Sequence, residues 1–246
     1  MADFDNRLAR GQTAEAGVID SGLRAYMLRV YNYMLVGLVL TGATAWLTAS
    51  TPLRDVFFQV QPQTGMIGLS MLGWVALIAP FILVMLLSFR IQRMSLATAQ
   101  ATFWAYAGLM GISLTPIIWV YTGAAIAQTF FITAATFGAM SLWGYTTGRD
   151  LTGLGSFLFM GLIGIIIASV VNIFVASSMM SWIVSVAGVL IFTGLTAYDT
   201  QWIKNSYSVN DDGSVAGRKA IFGALKLYLD FLNLFLMLLR LLGNRR

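Results

Sequence analysis

The chain has no cysteine and no histidine among its 246 residues, and only 10% of them are charged. The first absence excludes disulfides and thiolate metal sites. The second removes the usual side chain that titrates between pH 5 and 8, so a sensor of that range must be built from carboxylates or lysine. It also excludes zinc proteases of the His-Glu-x-x-His type and any Ser/His or Cys/His nucleophile pair. A soluble domain carries about 25% charged residues. With 58% hydrophobic residues and repeated apolar runs of about 20 residues, the composition is that of an all-α polytopic membrane protein. Almost no length is left for a soluble domain.

Seven apolar segments are read, near residues 31–49, 66–88, 97–120, 125–146, 154–176, 181–202 and 220–242. Residues 1–25 form an N-terminal tail, expected to be disordered over 1–20, and 26–246 a single membrane domain. Residues 1–30 mix acids and arginines with no apolar core, which excludes a cleavable signal. Lysine and arginine bias sets the orientation. With a cytoplasmic N-terminus, the inner segments hold Arg7, Arg10, Arg24, Arg29, Arg90, Arg93, Arg149, Lys204, Arg218 and Lys219, and the outer loops between spans hold only Arg54. Arg245 and Arg246 fall outside if the seventh segment crosses; Ile221–Leu242 is long enough to do so, and a full crossing is favoured over re-entry. Gly108, Gly111, Ala134, Gly138, Gly144, Gly148, Gly161 and Gly164 recur within the spans, as expected of helices packing closely in lipid.

Of ten acids, eight lie in the N-terminus or in loops; only Asp199 and Asp230 sit inside long apolar stretches. A charge at the centre of a span costs about 2.5–3.5 kcal/mol on insertion scales, so such residues usually have a task. On a helix through 220–242, Lys226, Asp230, Asn233, Met237 and Arg240 share one face. In lipid that stripe must face protein or water, so this helix lines a path or cavity. Lys226 could neutralise Asp230 at i,i+4, but that leaves Asp199 unexplained. On the preceding segment Ser185, Gly188, Thr196 and Asp199 share a face. If the two helices run antiparallel, the acids share one half of the membrane at somewhat different depths, so contact needs stagger. Two carboxylates in hydrogen-bond reach share a proton rather than ionise together. Their oxygens also suit Ca²⁺. Asn233 and Thr196 are candidate polar path residues; Arg240, Arg90, Arg93 and Lys226 are candidate counter-ions, with membrane anchoring the competing role for Arg90 and Arg93 and snorkelling for Arg240.

Other two-acid and seven-span readings fit less well. Asn210-Asp-Asp-Gly213 lacks the spacing of an EF-hand loop and reads as a turn. Intramembrane aspartyl proteases carry glycine motifs that Tyr198-Asp-Thr and Leu229-Asp-Phe lack. A retinal protein would need its lysine in mid-span and an acid in the third span. No enzyme activity, no cofactor and no nucleic-acid partner is expected.

The chain resembles the Bax inhibitor-1 (transmembrane Bax inhibitor motif) family in its bacterial branch. The resemblance rests on Gly111-Ile-Ser-Leu-Thr-Pro116-Ile, Val171-Asn172-Ile-Phe174, Tyr198-Asp199-Thr200-Gln201, and Leu227-Tyr-Leu-Asp230-Phe-Leu-Asn233-Leu-Phe235 followed by Leu239-Arg240-Leu-Leu-Gly243. It covers roughly residues 25–243. It implies seven helices with the last at the centre, and a pH-sensitive Ca²⁺ leak gated by an Asp pair that falls on Asp199 and Asp230. The family's basic group after the second span falls on the Arg90/Arg93 region, and its late arginine on Arg240. An acid that some bacterial relatives carry in the second span is absent from Leu72-Gly73-Trp74. The resemblance also brings a link to restraint of a membrane protease in bacteria and to cell-death suppression in eukaryotes. The leading expectation is therefore a calcium leak of a bacterial inner membrane. The alternatives are a non-transporting regulator of another membrane protein, such as a protease, and a Ca²⁺/H⁺ exchanger.

Overall fold

A computed structural model describes the backbone of residues 2–60 and 67–244, and the side chains of 21–59 and 68–244. Among the described residues eight α-helices follow in order: α1 (Ala2–Ser50), α2 (Leu53–Phe57), α3 (Met71–Arg90), α4 (Leu96–Val120), α5 (Gly123–Thr146), α6 (Thr152–Val175), α7 (Ser178–Asn205) and α8 (Gly213–Leu242). Seven of them, all but α2, are long and apolar enough to cross a membrane. Residues 2–20, expected as a disordered tail, are described by backbone alone, helical and continuous with α1; Arg7 and Arg10 lie outside the described side chains.

Helix starts are set by short polar side chains. Ser70, Ser95, Thr122 and Ser177 each accept the N–H three residues on. Asp212 accepts from Ser214 and Val215 at 2.8 and 2.7 Å. Each cap satisfies a backbone donor that the helix leaves free. The second span starts at Met71 rather than near 66. Ile67–Leu69 (β2) instead pairs antiparallel with Phe58–Val60 (β1), Phe58 opposite Leu69. A short apolar run reads equally as a strand or a helix end. Ser70 decides it here: its hydroxyl donates to Val56 O at 2.6 Å and accepts from the Gly73 N–H.

The bundle is built around α8. In its most apolar 18-residue window 67% is buried, against 39% at most in any other span. Helices α1, α4, α5 and α7 pack on it; α3 leans on α4, and α6 on α7. Close approach is made by some of the small residues and not others. A Cβ on Gly111 would collide with the Thr41 carbonyl and the Thr44 hydroxyl of α1, and one on Gly144 with the backbone of Ala197 in α7. Gly138, Gly148 and Gly164 face open space. There the expectation of helix packing fails, because spacing along a helix does not say which face meets a neighbour.

Prolines supply a further joint. Pro80 lies inside α3 and has no N–H, which frees the carbonyl of Ala76 four residues earlier. Ser113 of α4 donates its hydroxyl to that carbonyl at 2.8 Å. The run Gly111–Pro116 thus packs α4 on α1 through Gly111 and on α3 through Ser113.

Candidate functional site

The tetrad Tyr198–Gln201 explains how α7 is held. Successive helical residues point about 100° apart, and these four address four different neighbours. The Tyr198 ring fills the space beside Gly155 of α6. Asp199 accepts from Lys226 of α8 at 2.7 Å. Thr200 bonds the Ser141 hydroxyl of α5 at 2.9 Å, and Ser141 in turn bonds Tyr31 of α1. Gln201 accepts from the Leu151 N–H and donates to Arg149 O, both at 2.8 Å, gripping the loop between α5 and α6.

α7 and α8 run antiparallel. Gly223 packs against Ile203, Lys226 bonds Asp199, and Met237 packs against Gly188. The first turns of α8 therefore rise past the end of α7. That stagger brings Asp230 to within about one helical turn of Asp199, which stands level with Lys226, even though the two acids lie at different distances from the connecting loop. Asp199 and Asp230 lie close enough to interact with each other; a hydrogen bond between their carboxyls would need a proton on one of them. Asp230 is 4% exposed, and its Oδ2 has no hydrogen-bond partner among the described residues.

Lys226 forms its ion pair with Asp199 rather than with Asp230, its i,i+4 neighbour. Its ammonium pairs with Asp199 and lies 4.8 Å from the centre of the Trp202 ring and 6.0 Å from that of Tyr198. The sequence allowed the local pair with Asp230; the structure makes the pair between helices.

A cavity of about 1560 Å³ opens along this face of α8, between α3, α6 and α7. All five residues of the α8 stripe line it, with Asp199 and Ser185 from α7 and Phe81 and Ser88 from α3. Asn233 is on the wall, its amide donating to Leu229 O at 2.8 Å. Thr196 is not: it is fully buried behind the wall and its hydroxyl donates to Phe192 O. A threonine in a helix commonly closes on its own backbone this way, so it offers the cavity no polar atom.

Arg240 is exposed at the far end of the cavity, ten residues or about 15 Å along α8 from Asp230. Arg90 and Arg93 are exposed at the end of α3 and make no ion pair with either acid. Of the four proposed counter-ions, Lys226 alone touches the pair. Apolar and charge patterning does not mark Gln201, Thr200, Ser141 or Trp202 as site residues, although Thr200 and Gln201 stand inside the Tyr198–Gln201 motif.

Outside the spans, two carboxylates are held in their charged form. Asp150 is drawn below its usual range by the Thr152 hydroxyl and then its N–H. Asp212 is drawn down first by the Val215 N–H and then by the Ser214 hydroxyl.

These features define a membrane protein of seven spans, with a buried carboxylate pair where its central helix meets α7. A family model described as "Inhibitor of apoptosis-promoting Bax1" matches residues 23–246. The chain belongs to the Bax inhibitor-1 family. It is 47% identical over 247 residues to an uncharacterized protein of Rickettsia prowazekii, covering 100% of both chains. It is 48% identical over 229 residues to the inner membrane protein YbhL of Escherichia coli K12, covering 92% of this chain and 94% of YbhL. A protein of Caulobacter vibrioides is 44% identical over 250 residues, 100% of each chain.

Proposed function

We propose that the chain is a pH-sensitive Ca²⁺ leak of a bacterial inner membrane, its N-terminus cytoplasmic, gated by the Asp199–Asp230 pair. The reading is carried by two buried carboxyls in mutual reach on the wall of a cavity beside the central helix. At low pH one shared proton ties α7 to α8. As pH rises the proton leaves, and two like charges in a low dielectric repel strongly. Separation of the two helices then extends the cavity and presents two carboxylates to a cation.

Ca²⁺ takes six to eight oxygen ligands. Among the described residues no three acids gather, so the pair holds the ion with water completing its shell. Loose holding suits a cargo that must also leave.

The test is Ca²⁺ flux into liposomes with purified protein from pH 6 to 8, comparing wild type with Asp199→Asn/Asp230→Asn. Flux in the wild type with its pH dependence lost in the variant is expected. Unchanged pH-dependent flux in the variant overturns the gate. No flux at any pH from folded protein overturns the leak and favours a regulator of another membrane protein, such as a protease. A proton gradient imposed at fixed local pH that alters the flux identifies Ca²⁺/H⁺ exchange by the same pair.

A further inference from the structure

The lysine at the pair is not used by the gate as described. Lys226 places its ammonium 2.7 Å from Asp199 Oδ1, at a carboxylate that a permeating cation would have to contact. Its side chain is 28% exposed on the cavity wall, whereas that of Asp199 is 10% exposed. Two aromatic faces, Trp202 and Tyr198, cradle the ammonium from α7, as cation–π contact favours. The charged side chains on this cavity are Asp199 and Asp230 against Lys226 and Arg240, and Arg240 lies far along the helix. Opposite the two acids, then, stands one tethered cation.

We propose that Lys226 is a built-in competitor for the cation seat: its ammonium occupies Asp199 in the resting protein, and a divalent ion binds only by displacing it. This rests on the leak reading and adds to it a device that keeps the resting flux low and selects for charge. A monovalent ion offers Asp199 no more charge than the ammonium already does, and it lacks the advantage of being tethered. A divalent ion gains more from two carboxylates than the ammonium does from one. Lysine suits this role because its compact ammonium sits on a flexible four-carbon stem and can swing off into the cavity, whereas a planar arginine fork would tend to lock onto the carboxylate.

The experiment measures binding of Tb³⁺, a luminescent substitute for Ca²⁺, by Trp-sensitised emission at pH 7.5 in detergent, alongside Ca²⁺ flux in liposomes. It compares wild type, Lys226→Met, Lys226→Gln and Lys226→Gln/Asp199→Asn. Lys226→Gln keeps an N–H donor for Asp199 and covers the case in which Lys226→Met does not fold. The neutral variants are expected to bind Tb³⁺ about tenfold or more tightly than wild type, since one close like charge has been removed. The gain should vanish when Asp199 is also replaced. An affinity within about twofold of wild type, with pH-dependent flux intact, overturns the competitor and leaves the leak standing. Tight Tb³⁺ binding in the neutral variants without Ca²⁺ flux in any protein supports the competitor and overturns the leak. No Tb³⁺ binding by any folded variant overturns the competitor as well.

Discussion

Gly144→Ala tests whether the contact between α5 and α7 fixes the position of Asp199. A Cβ at Gly144 would overlap the Ala197 carbonyl oxygen and stand 2.8 Å from both Ala197 Cα and its carbonyl carbon. Carbon atoms in good contact are about 3.5–4.0 Å apart, so the two backbones must separate by about 1 Å. No flexible side chain can yield, because the atoms met are main chain. Overpacking of this kind costs about 1–3 kcal/mol, more than the up to about 1 kcal/mol that alanine gains over glycine inside a helix. For a chain of this size each kcal/mol lowers Tm by about 2–4 °C. Set against that gain, a net loss of up to about 2 kcal/mol should lower the Tm of the detergent-solubilised protein by up to about 8 °C. Gly164→Ala is the control: its Cβ meets nothing within 4 Å, and its Tm should hold or rise. Ala197 is two residues from Asp199, so the same 1 Å shift should loosen the Asp199–Asp230 contact and alter the pH profile of Ca²⁺ flux. A Gly144→Ala protein as stable as the Gly164→Ala protein would refute the reasoning.

Two further outcomes follow from single hydrogen bonds. Ser113→Ala should cost about 1–3 kcal/mol by stripping a donor from the carbonyl that Pro80 leaves free; the cost should shrink in a Pro80→Ala background, where a helical N–H returns, and an equal cost in both backgrounds in a double-mutant cycle refutes the link. Asp212→Ala should speed amide exchange at Ser214 and Val215, while Asp212→Asn, which keeps an acceptor, should do so less. Because folding lowers the Asp212 pKa, its cap is fully present above the unfolded carboxylate value near 4 and is lost as pH falls through the lower folded value; protection at those two amides that survives in strong acid contradicts this.

The seven spans were legible because a lipid-facing helix must be apolar over the whole thickness it crosses. The stripe on α8 was legible for the complementary reason: at helical spacing, five polar or soft residues cannot all face lipid. Register between helices was not legible. Lys226 has Asp230 one turn away in the chain and Asp199 across a helix pair, and periodicity cannot choose between them. The same limit hid the stagger. Hydropathy sees where a helix enters lipid, near 220, but not that α8 begins at Gly213 under the Asp212 cap. Those extra turns are what bring Asp230 within about one turn of Asp199. Thr196 misled in a third way: it shares a face with Asp199, yet its hydroxyl is spent on the Phe192 carbonyl. The pairing of Phe58–Val60 with Ile67–Leu69 was missed because Ser70, not apolar pattern, decides where the helix starts.

The tetrad and the lysine together bear on how a local proton event could move a whole helix. Tyr198, Thr200 and Gln201 bind α7 to α6, α5 and the loop between them, so α7 is anchored on three sides. On the fourth, toward α8, its polar contacts are the Asp199–Lys226 ion pair and the Asp199–Asp230 contact. Both depend on charge state or on competing ions, while the other three are neutral hydrogen bonds or packing. Under the proposed gate, the face toward α8 is the one whose polar contacts would respond to pH or to a divalent cation. Replacing Gln201 would loosen α7 from the loop between α5 and α6 and leave that face intact, whereas replacing Asp199 would act on the face alone. The two changes should differ in kind, one lowering stability and the other shifting the pH response.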